Sequence, residues 1–77
     1  MTIKEQIEAI LKELCPTKDL SALTDIVEGG YLDSFELMSL IAALGDTFEV
    51  DIDVDEISPE NFNSVAAMTE MVSRLKG

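Results

Sequence analysis

Residues 29–44, GGYLDSFELMSLIAAL, change character halfway along. Gly29 and Gly30 permit a sharp change of direction, and Asp33-Ser34 then opens an apolar run at helical spacing. Leu37, Leu40, Ile41, Leu44 and Phe48 fall at i, i+3, i+4, i+7 and i+11, which is one face of a helix. A helix from Ser34 or Phe35 to Phe48 is therefore expected. Met38 and Ala42 are left over on a flank. A helix with apolar residues to spare is either buried more fully or offered to a partner, and for Met38 the two readings weigh equally. Ser34 raises its own question. A serine at a helix mouth can serve as an N-cap worth about 1 kcal/mol, or it can carry a chemical group.

Upstream, Ile3, Ile7, Ile10, Leu11 and Leu14 share a helical face, and Thr2 and Glu5 have the spacing of a capping box. Cys15-Pro16 ends this first helix, because the residue before proline avoids helical angles. Cys15 itself reads as a small packing residue. Residues 16–33 form a long connection, yet Leu20, Leu23, Ile26, Val27, Tyr31 and Leu32 make it too apolar for a solvated linker. It is expected to lie across the helices, with a turn near Ser21–Leu23. Downstream, Val50, Ile52 and Val54 alternate with acids, but one strand would have no partner. Ser58-Pro59 marks a helix start, and a short helix or single turn is expected around residues 55–62, with Ile57 and Phe62 pointing inward. A last helix follows Ser64, with Val65, Met68, Val72 and Leu75 inward and Arg74 and Lys76 suiting its C-terminal dipole. The chain is all-α: three full helices, a short one and no convincing strand.

Composition narrows the function. The chain has 77 residues, room for one domain over residues 1–77. A domain this small buries only about 60% of the surface its unfolded chain exposes. One cysteine excludes a disulfide framework, and no apolar run approaches the roughly 20 residues that cross a bilayer. No signal-peptide pattern opens the chain, and its start at Met1 suggests an independent protein. A cytoplasmic location is expected. Sixteen acids face five bases, for a net charge of −11. The bases are Lys4, Lys12, Lys18, Arg74 and Lys76, so Asp19 to Ser73 holds thirteen acids and no base. Such a field repels nucleic acid and steers basic protein surfaces inward.

Catalysis by the chain itself is not expected. No histidine is present, so the commonest general base is missing and a serine-histidine-acid triad is impossible. Zinc lacks ligands. Asp51, Asp53 and Asp55 match the first positions of a calcium loop, but Glu56 stands where glycine is needed and Phe62 where the bidentate glutamate belongs.

At Gly30-Tyr31-Leu32-Asp33-Ser34 the sequence has a G-x-L-D-S pattern, and here it resembles the acyl carrier proteins and the peptidyl or aminoacyl carrier domains. The resemblance spans nearly the whole chain: an amphipathic first helix, a long apolar-studded loop, a D-S helix ending in phenylalanine, a short third helix and a closing helix. It implies a small four-helix bundle with a long loop between helices 1 and 2. It also implies that Ser34 carries a covalent 4′-phosphopantetheine drawn from coenzyme A, with Asp33 helping to present it. Acyl or aminoacyl units would then ride as thioesters on the arm and be delivered to partner enzymes, in fatty acid, polyketide or nonribosomal peptide biosynthesis or another specialised pathway. The implied partners are a phosphopantetheinyl transferase, a loading enzyme, and downstream transferases or synthases with basic docking surfaces. The carrier is expected to be a monomer without a membrane span. Phe35 takes a place more often held by leucine or methionine, and Ser39 stands where fatty-acid carriers usually show an acid. The segment Ser58 to Phe62 is more similar to carriers of specialised or aminoacyl pathways. Candidate docking residues are Glu36, Met38, Ala42, Asp46 and Glu49. The rival expectation is an acidic helical interaction module or loose divalent-cation binder in which Ser34 is only a helix cap.

Overall fold

The computed structural model describes residues 2–77. Met1, on which the expectation of an independent start rests, lies outside them. Four α-helices follow one another: α1 (Ile3–Leu14), α2 (Ser34–Phe48), α3 (Pro59–Phe62) and α4 (Val65–Lys76), and no strand occurs among the described residues. α1 packs against both α2 and α4, and α3 packs against α4.

Each long helix begins where its cap lies. Thr2 accepts the Glu5 N–H at 3.1 Å while Glu5 Oε1 accepts the Thr2 N–H at 2.9 Å, the reciprocal box that the sequence spacing predicts. These bonds hold the exposed Glu5 carboxyl below its usual range. Ile7 and Leu11 of α1 are fully buried, with Ile3, Ile10 and Leu14 packed at the margin. They meet Leu40, Leu44 and Phe48 of α2 and Val65, Met68, Met71 and Val72 of α4 in one core. Replacing a fully buried leucine such as Leu40 or Leu44 by alanine is expected to cost about 2–5 kcal/mol.

The long connection crosses the helices as expected. Leu20, Ile26 and Leu32 are buried in the core, and Leu23 donates a turn bond to the Leu20 carbonyl. Asn63, at the α3–α4 junction, fastens the connection from the other side. Its side-chain oxygen accepts both the Val27 and Glu28 N–H groups at 3.0 Å, and its carbonyl accepts the Ile26 N–H at 2.9 Å. The chain then turns through Gly30, whose φ of +75 a side chain would resist.

The helix expected over residues 55–62 is divided. A 3-10 turn spans Val54–Glu56, and α3 starts only at Pro59. Proline lacks an N–H and pushes its predecessor into extended backbone, so Ser58 at φ −143 and ψ 157 interrupts the helix. Phe62 is buried as expected, and Ile57 is half-buried.

Candidate functional site

The two residues at the mouth of α2 divide the work differently from the cap reading. Asp33, not Ser34, is the N-cap: its Oδ1 accepts the Glu36 N–H at 2.7 Å. Glu36 Oε1 returns the favour by accepting the Asp33 N–H at 3.1 Å. Asp33 and Glu36 stand three apart, the capping-box spacing, so the two side chains can satisfy each other's backbone N–H. This corrects the expectation of Ser34 as a cap. Ser34 is the first residue inside the helix, it is exposed, and no protein partner engages its Oγ among the described residues.

The surroundings of that hydroxyl suit a phosphodiester. The Ser34 and Phe35 N–H groups lie at the helix start with no acceptor among the described residues, while the Leu37 N–H is taken by the Asp33 carbonyl at 2.9 Å. Free donors and the positive end of the helix dipole favour an anion there. Ser34 is exposed, so its hydroxyl is open to modification. The residues present therefore fit a phosphopantetheine on Ser34 oxygen.

Along α2 beside the serine, apolar side chains are exposed. Phe35 is 78% exposed and Met38 63% exposed. With the exposed Ala42 they make a stripe at i, i+3 and i+7 along the outer side of α2. Exposure rules out the core-filling role for Met38. Asp46 is exposed near the far end of this helix, and Glu49 lies exposed just past it in left-handed backbone, φ 54 and ψ 49. Val54, 82% exposed, stands on the neighbouring 3-10 turn between Asp53 and Asp55.

Glu36 differs from the other candidate docking residues. It is half-buried, and its second oxygen, Oε2, accepts the Cys15 S–H at 3.2 Å. Both carboxylate oxygens are thus engaged within the chain. Cys15 is only 4% exposed and packs as the sequence predicts. Burial pushes its thiol above the ordinary range, and the hydrogen bond to Glu36 pushes it further the same way. Sequence reasoning missed this link, and it missed Lys18, whose Nζ donates to the Tyr31 carbonyl at 3.0 Å. Neither left a local signal, because each joins residues far apart in the chain.

The chain as a whole is similar to known proteins. The family model described as "Phosphopantetheine attachment site" matches residues 2–72. The D-alanyl carrier protein of Streptococcus uberis is 28% identical over 81 residues, covering 99% of this chain and 98% of its own length. The D-alanyl carrier protein of Lactobacillus delbrueckii subsp. bulgaricus is 30% identical over 78 residues, covering 99% of this chain and 96% of its own.

Proposed function

The chain belongs to the phosphopantetheine-attachment family of carrier proteins, and we propose that Ser34 is its attachment residue and that its cargo is a small aminoacyl unit, D-alanyl foremost. A carrier of this family is not an enzyme, and its cofactor is 4′-phosphopantetheine. The observation that carries the assignment of Ser34 is the division of labour at α2. Asp33 takes the cap, which leaves an exposed and uncommitted hydroxyl beside free backbone donors. In loading, the serine oxygen would bond to the pantetheine-side phosphorus of coenzyme A's diphosphate as its P–O bond to the adenosine half breaks, releasing adenosine 3′,5′-bisphosphate, with the transferase taking the serine proton. Once attached, the group supplies a terminal thiol on which cargo rides as a thioester.

The whole chain, residues 1–77, acts in this reading as one carrier domain, monomeric and cytoplasmic. Among the described residues no helix is long and apolar enough to cross a membrane. The D-alanyl cargo is favoured by the two relatives, which align along nearly their full lengths. An alanyl thioester carries an ammonium, which a surface of net charge −11 accommodates without a dedicated pocket.

Partner enzymes would meet the stripe of Phe35, Met38 and Ala42, with Asp46, Glu49 and the edge of Glu36 as its acidic rim. Methionine adapts to differing surfaces, and rim charges speed arrival more than they hold a complex. One carrier can then serve a phosphopantetheinyl transferase, a loading ligase and a receiving transferase in turn. Because charge drives arrival, docking should weaken as salt shortens the screening length, about 8 Å at 0.15 M.

Intact-mass analysis of the protein made in its native host tests the cargo. A mass equal to the chain plus one phosphopantetheine plus one alanyl group is the expected result, with chiral analysis of the released amino acid giving the D form. A fatty or polyketide acyl group in its place would overturn the aminoacyl assignment while leaving Ser34 as the anchor.

A further inference from the structure

The turn that leaves α1 touches the Ser34 turn at two separate points. At the first, Cys15 Sγ donates to Glu36 Oε2 at 3.2 Å, across 21 residues of sequence. At the second, Lys18 Nζ donates to the Tyr31 carbonyl at 3.0 Å. The two contacts straddle the serine, Tyr31 before it and Glu36 after it. They are also tied to each other. The Lys18 N–H donates to the Cys15 carbonyl at 3.1 Å, and the Cys15 N–H donates to Leu11 of the last turn of α1 at 2.8 Å. On the far side, Glu36 transmits its position to Asp33 through the reciprocal cap bonds of 3.1 and 2.7 Å. Ser34 Oγ has no bond of its own among the described residues, so its direction is set by what holds its neighbours.

We infer that residues 15–18 form a bracket that orients the Ser34 hydroxyl for loading, with Cys15, Lys18 and Glu36 as positioning residues. The inference rests on Ser34 being the attachment residue. A carrier supplies no acid or base to its own loading, so its contribution is placement of the nucleophile. The buried Cys15 forms the rigid end of the bracket and the exposed Lys18 the second strap. Loosening both weakens the hold on the cap without removing it, so the expected loss is about 3- to 10-fold, below the roughly 10²-fold that an ångström of misplacement can cost.

The test combines loading kinetics, with coenzyme A and a phosphopantetheinyl transferase, and amide hydrogen exchange on the unloaded protein. Lys18→Met removes the charged donor while keeping the stem, Cys15→Ala removes the thiol, and the pair is combined in a double variant. Cys15→Ser and Lys18→Arg keep a donor at each point. Expected are a lower kcat for loading in Lys18→Met and the double variant at nearly unchanged KM, and recovery in the two conservative variants. Exchange should quicken at the Glu36 and Leu37 amides, whose acceptors belong to Asp33, while the Met68 and Val72 amides keep their protection. Parental kcat in the double variant, or equal quickening in α2 and α4, would overturn the bracket. Should the double variant not fold, Lys18→Met at its exposed position decides alone by the same readings. Failure of the parent itself to load would instead defeat the proposed function, and the exchange pattern would still judge the bracket.

Discussion

Two serines stand at the starts of the long helices α2 and α4, and they do opposite things. Ser64 precedes α4 and accepts the Ala67 N–H at 3.0 Å, so its oxygen is spent on holding the helix. Ser34 sits one position further in, as the first residue of α2, because Asp33 has taken the cap. A one-residue shift relative to the helix start turns a structural hydroxyl into an available one. The availability is created by the neighbouring acid, with Glu36 completing the reciprocal pair.

The sharpest way to break this comparison is to move the hydroxyl. In Asp33→Ser combined with Ser34→Ala, a serine occupies the cap and none follows it. The helix should survive, since serine and aspartate cap about equally well, whereas loading by coenzyme A and the transferase should vanish entirely. Loading at position 33 would show that mere closeness to the helix mouth suffices. Next in size, Ser64→Ala should lower stability by about 1 kcal/mol in urea unfolding and leave the loading rate unchanged. Ser34→Ala should shift stability by only a few tenths of a kcal/mol, as befits an exposed side chain that makes no cap bond. Equal destabilisation by the two would mean that Ser34 shares the cap after all.

The third expectation concerns Cys15, which joins the Ser34 turn to α1. Its thiol titrates higher in the folded chain than in the unfolded one. The folded state therefore gains from it below the ordinary thiol range and loses that gain as pH rises through the folded value. Unfolding in urea from pH 7 to 10 should show the parent's advantage over Cys15→Ala shrinking on the alkaline side. An advantage that stays constant would contradict a thiol held protonated by burial and Glu36. A further effect, on stability rather than on loading, belongs to the other end of α2. Glu49 holds left-handed backbone that glycine adopts without penalty, so Glu49→Gly should add about 0.5–1 kcal/mol of stability. If Glu49 also belongs to the docking rim, the same variant should slow a basic partner's arrival.

Much of the fold was legible because the helices carry their own punctuation. The apolar face of α1, its Thr2–Glu5 box and the stop at Cys15-Pro16 are local patterns, and the structure follows them. The connection's Leu20, Ile26 and Leu32 are buried as their apolar character predicts. The break before Pro59 is written in the sequence too, since proline at a helix start also forbids any helix running into it. The identity of the α2 cap lay in plain sight as well: Asp33 and Glu36 have the box spacing that Thr2 and Glu5 share. The bonds from Cys15 to Glu36 and from Lys18 to Tyr31 were not legible, because their partners are adjacent only after α1 packs on α2.

If Ser34 is the anchor, its free hydroxyl, and no other side chain, accepts the arm. Peptide-level mass spectrometry after incubation with coenzyme A and a phosphopantetheinyl transferase reads this directly. The predicted result is a single phosphopantetheine mapped to Ser34 in the parent and in Ser64→Ala, with none on Ser34→Ala. An unmodified parent, or an arm found on Ser34→Ala, would contradict it.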